Sequence, residues 1–490
     1  MAEADDDPPD GAPTGPRNGS AFSAWLLRVS GNGHRPPTDP TQLARHRVPM
    51  PLIRSRLPSG RGSMEQPNVT GDGDTPLTLR FWAAVGVAGV VTGLFGAFLM
   101  AILSQVSYWA FGFREGSFQT GVEHATDLRR VVSLVVAGVV GAVAWYLVRH
   151  YMKDENAEID DSVWSKEGQL SPRRALLTSI ISEVVIGMGA SIGREAAPKL
   201  MGGASASTLG SAFGLSPRQR RLLVACAGGA GLAAVYNVPL AGALFTAEIL
   251  VGSLTLPVVL PALVCSWIAT ATAWVYLPRH ASYVGIPDYR FTMTILVWAV
   301  LVGPVVGVIS AVFIRFIGWV SHYRFRGARI IVAMPIAFGA LGLIGIAYPE
   351  LFGNGKDMVY AAFLGRFTVP LLLALFILKP LVTSACLGSG ASGGLLTPTM
   401  STGAMLGGLL GSGWNLLWPR SPSGAFAMVG AVAMIGASMQ APLTALVLVL
   451  ELTHSGFGLM VPMLAATATA TAVARAIDGY SIYSARLTAA

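Results

Sequence analysis

A single carboxylate in a long apolar stretch is the first residue whose type and place could do chemistry. Between Glu183 and Arg218 the ionisable residues are Arg194, Glu195 and Lys199, and Glu195 closes a glycine-rich run, Gly189-Ala190-Ser191-Ile192-Gly193-Arg194-Glu195. Ionisable groups at membrane depth are costly and mark ion or proton paths. A carboxylate at the mouth of a site built for anions fills that site while ionised and vacates it when protonated, so one group can both block an anion and carry a proton. Neutralisation by the adjacent Arg194 is the plainer alternative. Neighbours on a helix face different ways, and the residue matching Glu195 in the repeat described next is the apolar Leu396. Both points favour the functional role.

The glycine-rich run returns at Gly390-Ala391-Ser392-Gly393-Gly394-Leu395-Leu396, with Ala197 opposite Pro398 and Gly202 opposite Gly403. A second pair follows: Asn237-Val238-Pro239-Leu240-Ala241 leads to Glu248, and Gln440-Ala441-Pro442-Leu443-Thr444 leads to Glu451 at the same distance past the proline. Glycines at such spacing often serve only close helix packing. Two matched breaks whose registers agree to within two residues point further, to two related halves whose interrupted helices meet near the membrane midplane. Each half-helix N-terminus offers unpaired N–H groups and roughly half a positive charge. The loops 189–198 and 390–398 are therefore expected to aim two such ends at one point, and the substrate is expected to be a small anion.

The elements that hold these breaks must be membrane helices. Of 490 residues, 53% are apolar and 12% charged, against about 25% charged in an average soluble chain. Charge-free runs at 81–113, 249–278, 291–314, 380–419 and 421–450 are long enough to span a bilayer. The fold class is all-α polytopic membrane protein, which excludes a soluble enzyme, a disordered chain and an outer-membrane barrel. Residues 1–78, rich in proline and mixed charge, are expected to be a disordered tail without a secretory signal. Residues 79–490 are expected to be the membrane domain, with halves of roughly 79–285 and 286–490 and no soluble domain after the last apolar stretch. The net charge of +8 collects in short joints such as Arg173-Arg174, Arg220-Arg221 and Arg324, Arg326, Arg329. Such clusters suit cytoplasmic loops and form no stripe for nucleic acid. Cys226, Cys265 and Cys386 lie far apart with no metal-binding spacing and read as small buried hydrophobes.

The motifs together resemble the CLC chloride channel and transporter family. Gly193-Arg194-Glu195-Ala196-Ala197 is similar to its GREGP motif and Gly393-Gly394-Leu395-Leu396-Thr397-Pro398 to its GGIFAP motif. Tyr348-Pro349-Glu350-Leu351-Phe352-Gly353-Asn354-Gly355 and Ile482-Tyr483-Ser484-Ala485 extend the likeness in the right order. The resemblance implies inverted repeats of broken, tilted helices and a homodimer with one anion path per subunit in the inner (plasma) membrane, with no cofactor or metal. It also implies that Glu195 is the gate and proton carrier, and that the backbone around Arg194, Glu195, Ala196 and Ala197 and at Leu395 and Leu396 holds the anion. Tyr483 matches the tyrosine whose hydroxyl binds the central anion; alone, it would read as an interfacial aromatic anchor.

Two departures separate the chain from the family pattern. No Gly-Ser-Gly occurs around 150–165, where Asp154-Glu155-Asn156-Ala157-Glu158-Ile159-Asp160-Asp161-Ser162 stands instead, so no central serine ligand is named. Ile249 occupies the place of the internal proton-transfer glutamate, one residue after Glu248. Glu248 is accordingly a candidate proton path, although a symmetric pair with Glu451 is more often structural. Chloride/proton antiport and uncoupled anion conduction stay open, with a fluoride-selective variant ranked lower because Tyr483 is present. A membrane-embedded enzyme is the different-class alternative; it needs a nucleophile with a base or a metal pair, but His454 stands in no HExxH or GxSxG context and Ser392, within a glycine-rich break, has no dyad partner nearby. A lysine at 379 within an apolar span is expected to snorkel.

Overall fold

A computed structural model describes residues 77–112, 117–152, 162–164, 168–419 and 421–486. The expected tail, apart from Leu77 and Thr78, and most of the acidic run standing in place of the Gly-Ser-Gly motif lie outside the described residues. Helices α1 (Leu79–Phe111), α2 (Phe118–His124), α3 (Asp127–Tyr151), α4 (Pro172–Gly187), α5 (Ala196–Ala212), α6 (Pro217–Tyr236), α7 (Pro239–Phe245) and α8 (Leu256–Ala273) come first in the chain. They are followed by α9 (Met293–His322), α10 (Ile330–Ala347), α11 (Lys356–Phe363), α12 (Val369–Gly388), α13 (Leu396–Leu417), α14 (Ser423–Met439), α15 (Pro442–Thr453) and α16 (Met460–Ile477). A π turn, Thr246–Val251, prolongs α7. Among the described residues, seven helices are long and apolar enough to cross a membrane: α1, α3, α8, α9, α12, α16, and α10 with the turn before it.

The inverted-repeat architecture expected from the sequence is present. Helix α1 packs on α8 as α9 packs on α16, and α5 on α6 as α13 on α14. Across the halves, equivalent elements meet each other: α3 packs on α10, and α7 on α15. Helices α6 and α14 are buried almost all round, as their unbroken runs of Ala, Gly and Val require. The outer helices instead keep an apolar stripe turned outward. On α1, Val87, Val90, Leu94 and Phe98 are exposed at helical spacing, a face suited to lipid.

The breaks arise from chain geometry that few residues tolerate. After α4 and α12 the backbone turns through Gly189 (φ 116°) and Gly390 (φ 105°), a region closed to most side chains. The turns are matched, with the Ala190 N–H bonded back to the Val185 carbonyl and that of Ala391 to Cys386. Helices α5 and α13 then start on Pro198 and Pro398 in their first turns, where proline has no helical N–H bond to lose. Helices α6 and α14 end alike, in left-handed Asn237 (φ 58°) and Gln440 (φ 57°), each ahead of a residue and a helix-opening proline.

Candidate functional site

The two breaks touch. Gly193 and Gly394 form an antiparallel bridge, the only isolated bridge among the described residues, each N–H donating to the other's carbonyl at 2.8 Å. The starts of α5 and α13 are thus set side by side, and neither helix has a side-chain cap from its own N-cap residue.

Glu195, the N-cap residue of α5, crosses to the other repeat. The Leu396 N–H donates to its Oε1 at 2.8 Å, so the carboxylate occupies the N-terminus of α13. Its Oε2 lies 3.3 Å from the Tyr236 hydroxyl and 3.5 Å from that of Thr397, which are 2.7 Å from each other. Asn354 donates its side-chain N–H to the same Tyr236 oxygen at 3.4 Å. An anionic group at a helix N-terminus, held by an N–H and hydroxyls, marks where a free anion could sit. Space is tight there: a Cβ on Gly394 would come within 2.0 Å of Glu195 Oε1, and one on Gly193 within 2.2 Å. Only glycine fits at these two points of close approach.

Beneath the carboxylate is a cavity of about 30 Å³ lined by Glu195, Ala196, Lys199, Leu232, Phe245, Gly393, Gly394, Tyr483 and Arg486. That volume accepts one small ion or a water molecule or two. Tyr483 is buried, its ring edge-on to Phe245 with centroids 5.9 Å apart and its hydroxyl 3.9 Å from the Met439 sulfur. Of the residues expected at the site, Glu195, Ala196 and Tyr483 meet at the cavity, and Leu396 holds the carboxylate. Arg194 lies over the ring of Tyr236, its guanidinium carbon 4.9 Å from the centroid, and no ion pair joins it to Glu195 among the described residues. Ala197 is buried and takes the Ser179 hydroxyl on its carbonyl at 3.1 Å. Leu395 is buried as the N-cap residue of α13 and does not line the cavity. Among the residues that the sequence reading did not place at the site are Tyr236, Thr397 and Lys199. Lys199 could have been found from its spacing, one turn after Glu195.

Glu248 is placed elsewhere. Its carboxylate accepts the N–H groups of Leu443 (3.2 Å) and Thr444 (2.6 Å) and the Thr444 hydroxyl (2.6 Å). Glu451 reciprocates by accepting from Leu240 (3.1 Å) and Ala241 (2.7 Å). Each repeat's glutamate therefore caps the proline-started helix of the other, using N–H groups the helix leaves over.

The buried Lys379 does not snorkel. Its Nζ donates to the Ser191 hydroxyl (2.8 Å) and to the carbonyls of Gly353 (2.9 Å) and Leu351 (3.3 Å), tying the first break to the Tyr348–Gly355 loop. The reason is geometric: that loop turns two carbonyls inward and the first break adds the Ser191 hydroxyl, and together they satisfy the ammonium better than a long reach to water. Ser392 accepts from Arg149 Nη2 at 3.0 Å, while His454 is an exposed C-cap residue of α15. These two residues form no catalytic pair in the hydrogen bonds among the described residues. All three cysteines are buried.

The family model described as voltage gated chloride channel matches residues 140–475. The chain belongs to this CLC family. Among its relatives, the H(+)/Cl(-) exchange transporter ClcA of Salmonella schwarzengrund is 30% identical over 424 residues, covering 84% of this chain and 88% of that protein. A solved structure of a slow cyanobacterial Cl-/H+ antiporter superposes with a TM-score of 0.72 at 24% identity, over 83% of this chain and 97% of the other. The structure of a CLC-type fluoride/proton antiporter gives 0.68 at 20% identity, over 83% and 97%. The CLC fold of broken helices in inverted repeats is thus shared with both.

Proposed function

We propose that this protein moves chloride, or a similar small anion, across the membrane in exchange for protons, with Glu195 as both the gate and the proton carrier. The observation that carries the reading is the Glu195 carboxylate bound to the N-terminus of α13, a group of the chain holding the place of a free anion. Ionised, it blocks; protonated, it loses its hold on the N–H and leaves the site to the substrate. Ala196 and Ala197 would then present the free end of α5, Leu395 and Leu396 that of α13, and Tyr483 the wall beneath. The exchange activity named for the relative from Salmonella supports the same substrates here. Tyr483 supports chloride over a fluoride-selective variant.

Passive anion conduction is a second reading, favoured by Ile249, which is fully buried and apolar where the internal proton-transfer glutamate would align. Glu248 is better read as a helix cap than as a proton path, because its oxygens are taken up by three donors. The chain is a multi-pass membrane protein of a family of transporters, and we read it as no enzyme. It would work as a homodimer with one path per subunit, embedded in the lipid of the inner membrane. Arg149, Arg174, Arg324 and Arg326 line one pocket and would face the cytoplasm.

Reconstitution tests the reading. Liposomes holding the purified protein should release chloride when a potassium ionophore is added, and protons should move the opposite way. No anion release above empty vesicles refutes transport; anion release without proton movement selects passive conduction.

A further inference from the structure

Lys199 places a full positive charge beside Glu195 in the middle of the candidate site. It is 8% exposed and lies on α5, in a part of the chain where an ionisable side chain is expensive and marks an ion path. A lysine in a membrane helix ordinarily runs its ammonium out to the headgroups. This one turns inward, its Nζ 4.7 Å from the ring centroid of Tyr483 and 5.6 Å from that of Phe245. Those two rings meet edge to face and hold the ammonium by their negative faces, while Lys199, Glu195 and Tyr483 line the same small cavity.

Helix N-termini alone offer partial charges of roughly half a unit each. A whole cationic charge beside them changes what the cavity can hold. Within the protein a monovalent anion a few ångströms from an ammonium gains far more than in water, and no other charged side chain but Glu195 and Arg486 lines the cavity among the described residues.

We propose that Lys199 is a direct ligand of the transported anion, its ammonium supplying the counter-charge in the cavity between Glu195 and Tyr483. The proposal rests on the anion-transport reading and adds a binding residue to it. The simpler role, a partner for Glu195 one turn away, predicts a different result once the carboxylate is gone.

The test is chloride binding by isothermal titration calorimetry to the purified full-length chain in detergent, in a Glu195→Gln background. Glu195→Gln itself should bind chloride. Adding Lys199→Met should weaken binding by at least ~10-fold, as loss of a nearby full charge demands, whereas Lys199→Arg should stay within ~3-fold because the charge is kept. Where Lys199→Met fails to elute as a single species, Lys199→Gln carries the same comparison. Chloride affinity unchanged to within ~2-fold on loss of the charge overturns the proposal, since a mere partner of Glu195 has no effect in that background. Absence of chloride binding in Glu195→Gln alone overturns the transport reading itself, and the proposal with it.

Discussion

At Glu195, replacement by glutamine keeps the size of the side chain and removes its charge and its proton. The variant is expected to pass anions at every pH from roughly 4 to 8 and to lose the pH dependence of the native flux; a pH profile unchanged from the native one would strip this residue of gating. Gly394→Ala tests the seat of the carboxylate. A Cβ 2.0 Å from Glu195 Oε1 must push the carboxylate off the Leu396 N–H, so anion flux at neutral pH should rise severalfold toward that of Glu195→Gln. Flux still blocked at neutral pH would show that the carboxylate closes the path from some other position. Glu195 was legible in the sequence because it stands almost alone among apolar residues and repeats as Leu396. Tyr236 and Thr397 were not, because their approach to its Oε2 depends on how the end of α6 crosses the start of α13. Their sequence neighbourhoods carry no mark of that crossing.

Among the elements, the swapped caps Glu248 on α15 and Glu451 on α7 should be worth similar stability. Hydrogen bonds to charged groups contribute about 1.5–3 kcal/mol, so Glu248→Ala and Glu451→Ala should each lower the melting temperature in detergent by several degrees. Glu248→Gln, in turn, should leave proton movement intact. Proton movement lost from Glu248→Gln with an unchanged melting temperature would make that residue a relay. Lys379→Met leaves the carbonyls of Gly353 and Leu351 and the Ser191 hydroxyl without their cation, at about 1–3 kcal/mol for each buried acceptor left unsatisfied, whereas the capped N–H groups of Leu240 and Leu443 are exposed, so water can replace their carboxylates. It should therefore cost more than either cap, as the same melting experiment would read. The equivalence of the two glutamates could be read from their equal distances past Pro239 and Pro442. That each serves the opposite half could not, since periodicity within one helix says nothing about which helix start lies across from it. The fate of Lys379 is not legible for a related reason: snorkelling follows from hydropathy, and the acceptors come from two distant segments, the first break and the Tyr348–Gly355 loop.

For the whole molecule, the matched motifs revealed two halves, and composition revealed the membrane. The antiparallel bridge of Gly193 with Gly394, which turns two separate breaks into one site, is a tertiary fact. Under the proposed orientation, with the basic pocket facing the cytoplasm, a cysteine placed at the exposed Arg326 should react with a membrane-impermeant maleimide only after cells are permeabilised, the native cysteines being buried. Labelling of intact cells would reverse the assigned sides. The central claim is that two broken helices bring their N-termini to one anion-holding point now filled by the chain's own carboxylate. Crystals of Glu195→Gln soaked in bromide test it most directly by anomalous scattering. The account predicts a bromide peak within hydrogen-bonding distance of the Leu396 N–H, where Glu195 Oε1 lay; well-occupied bromide peaks elsewhere, with none at that amide, would contradict it.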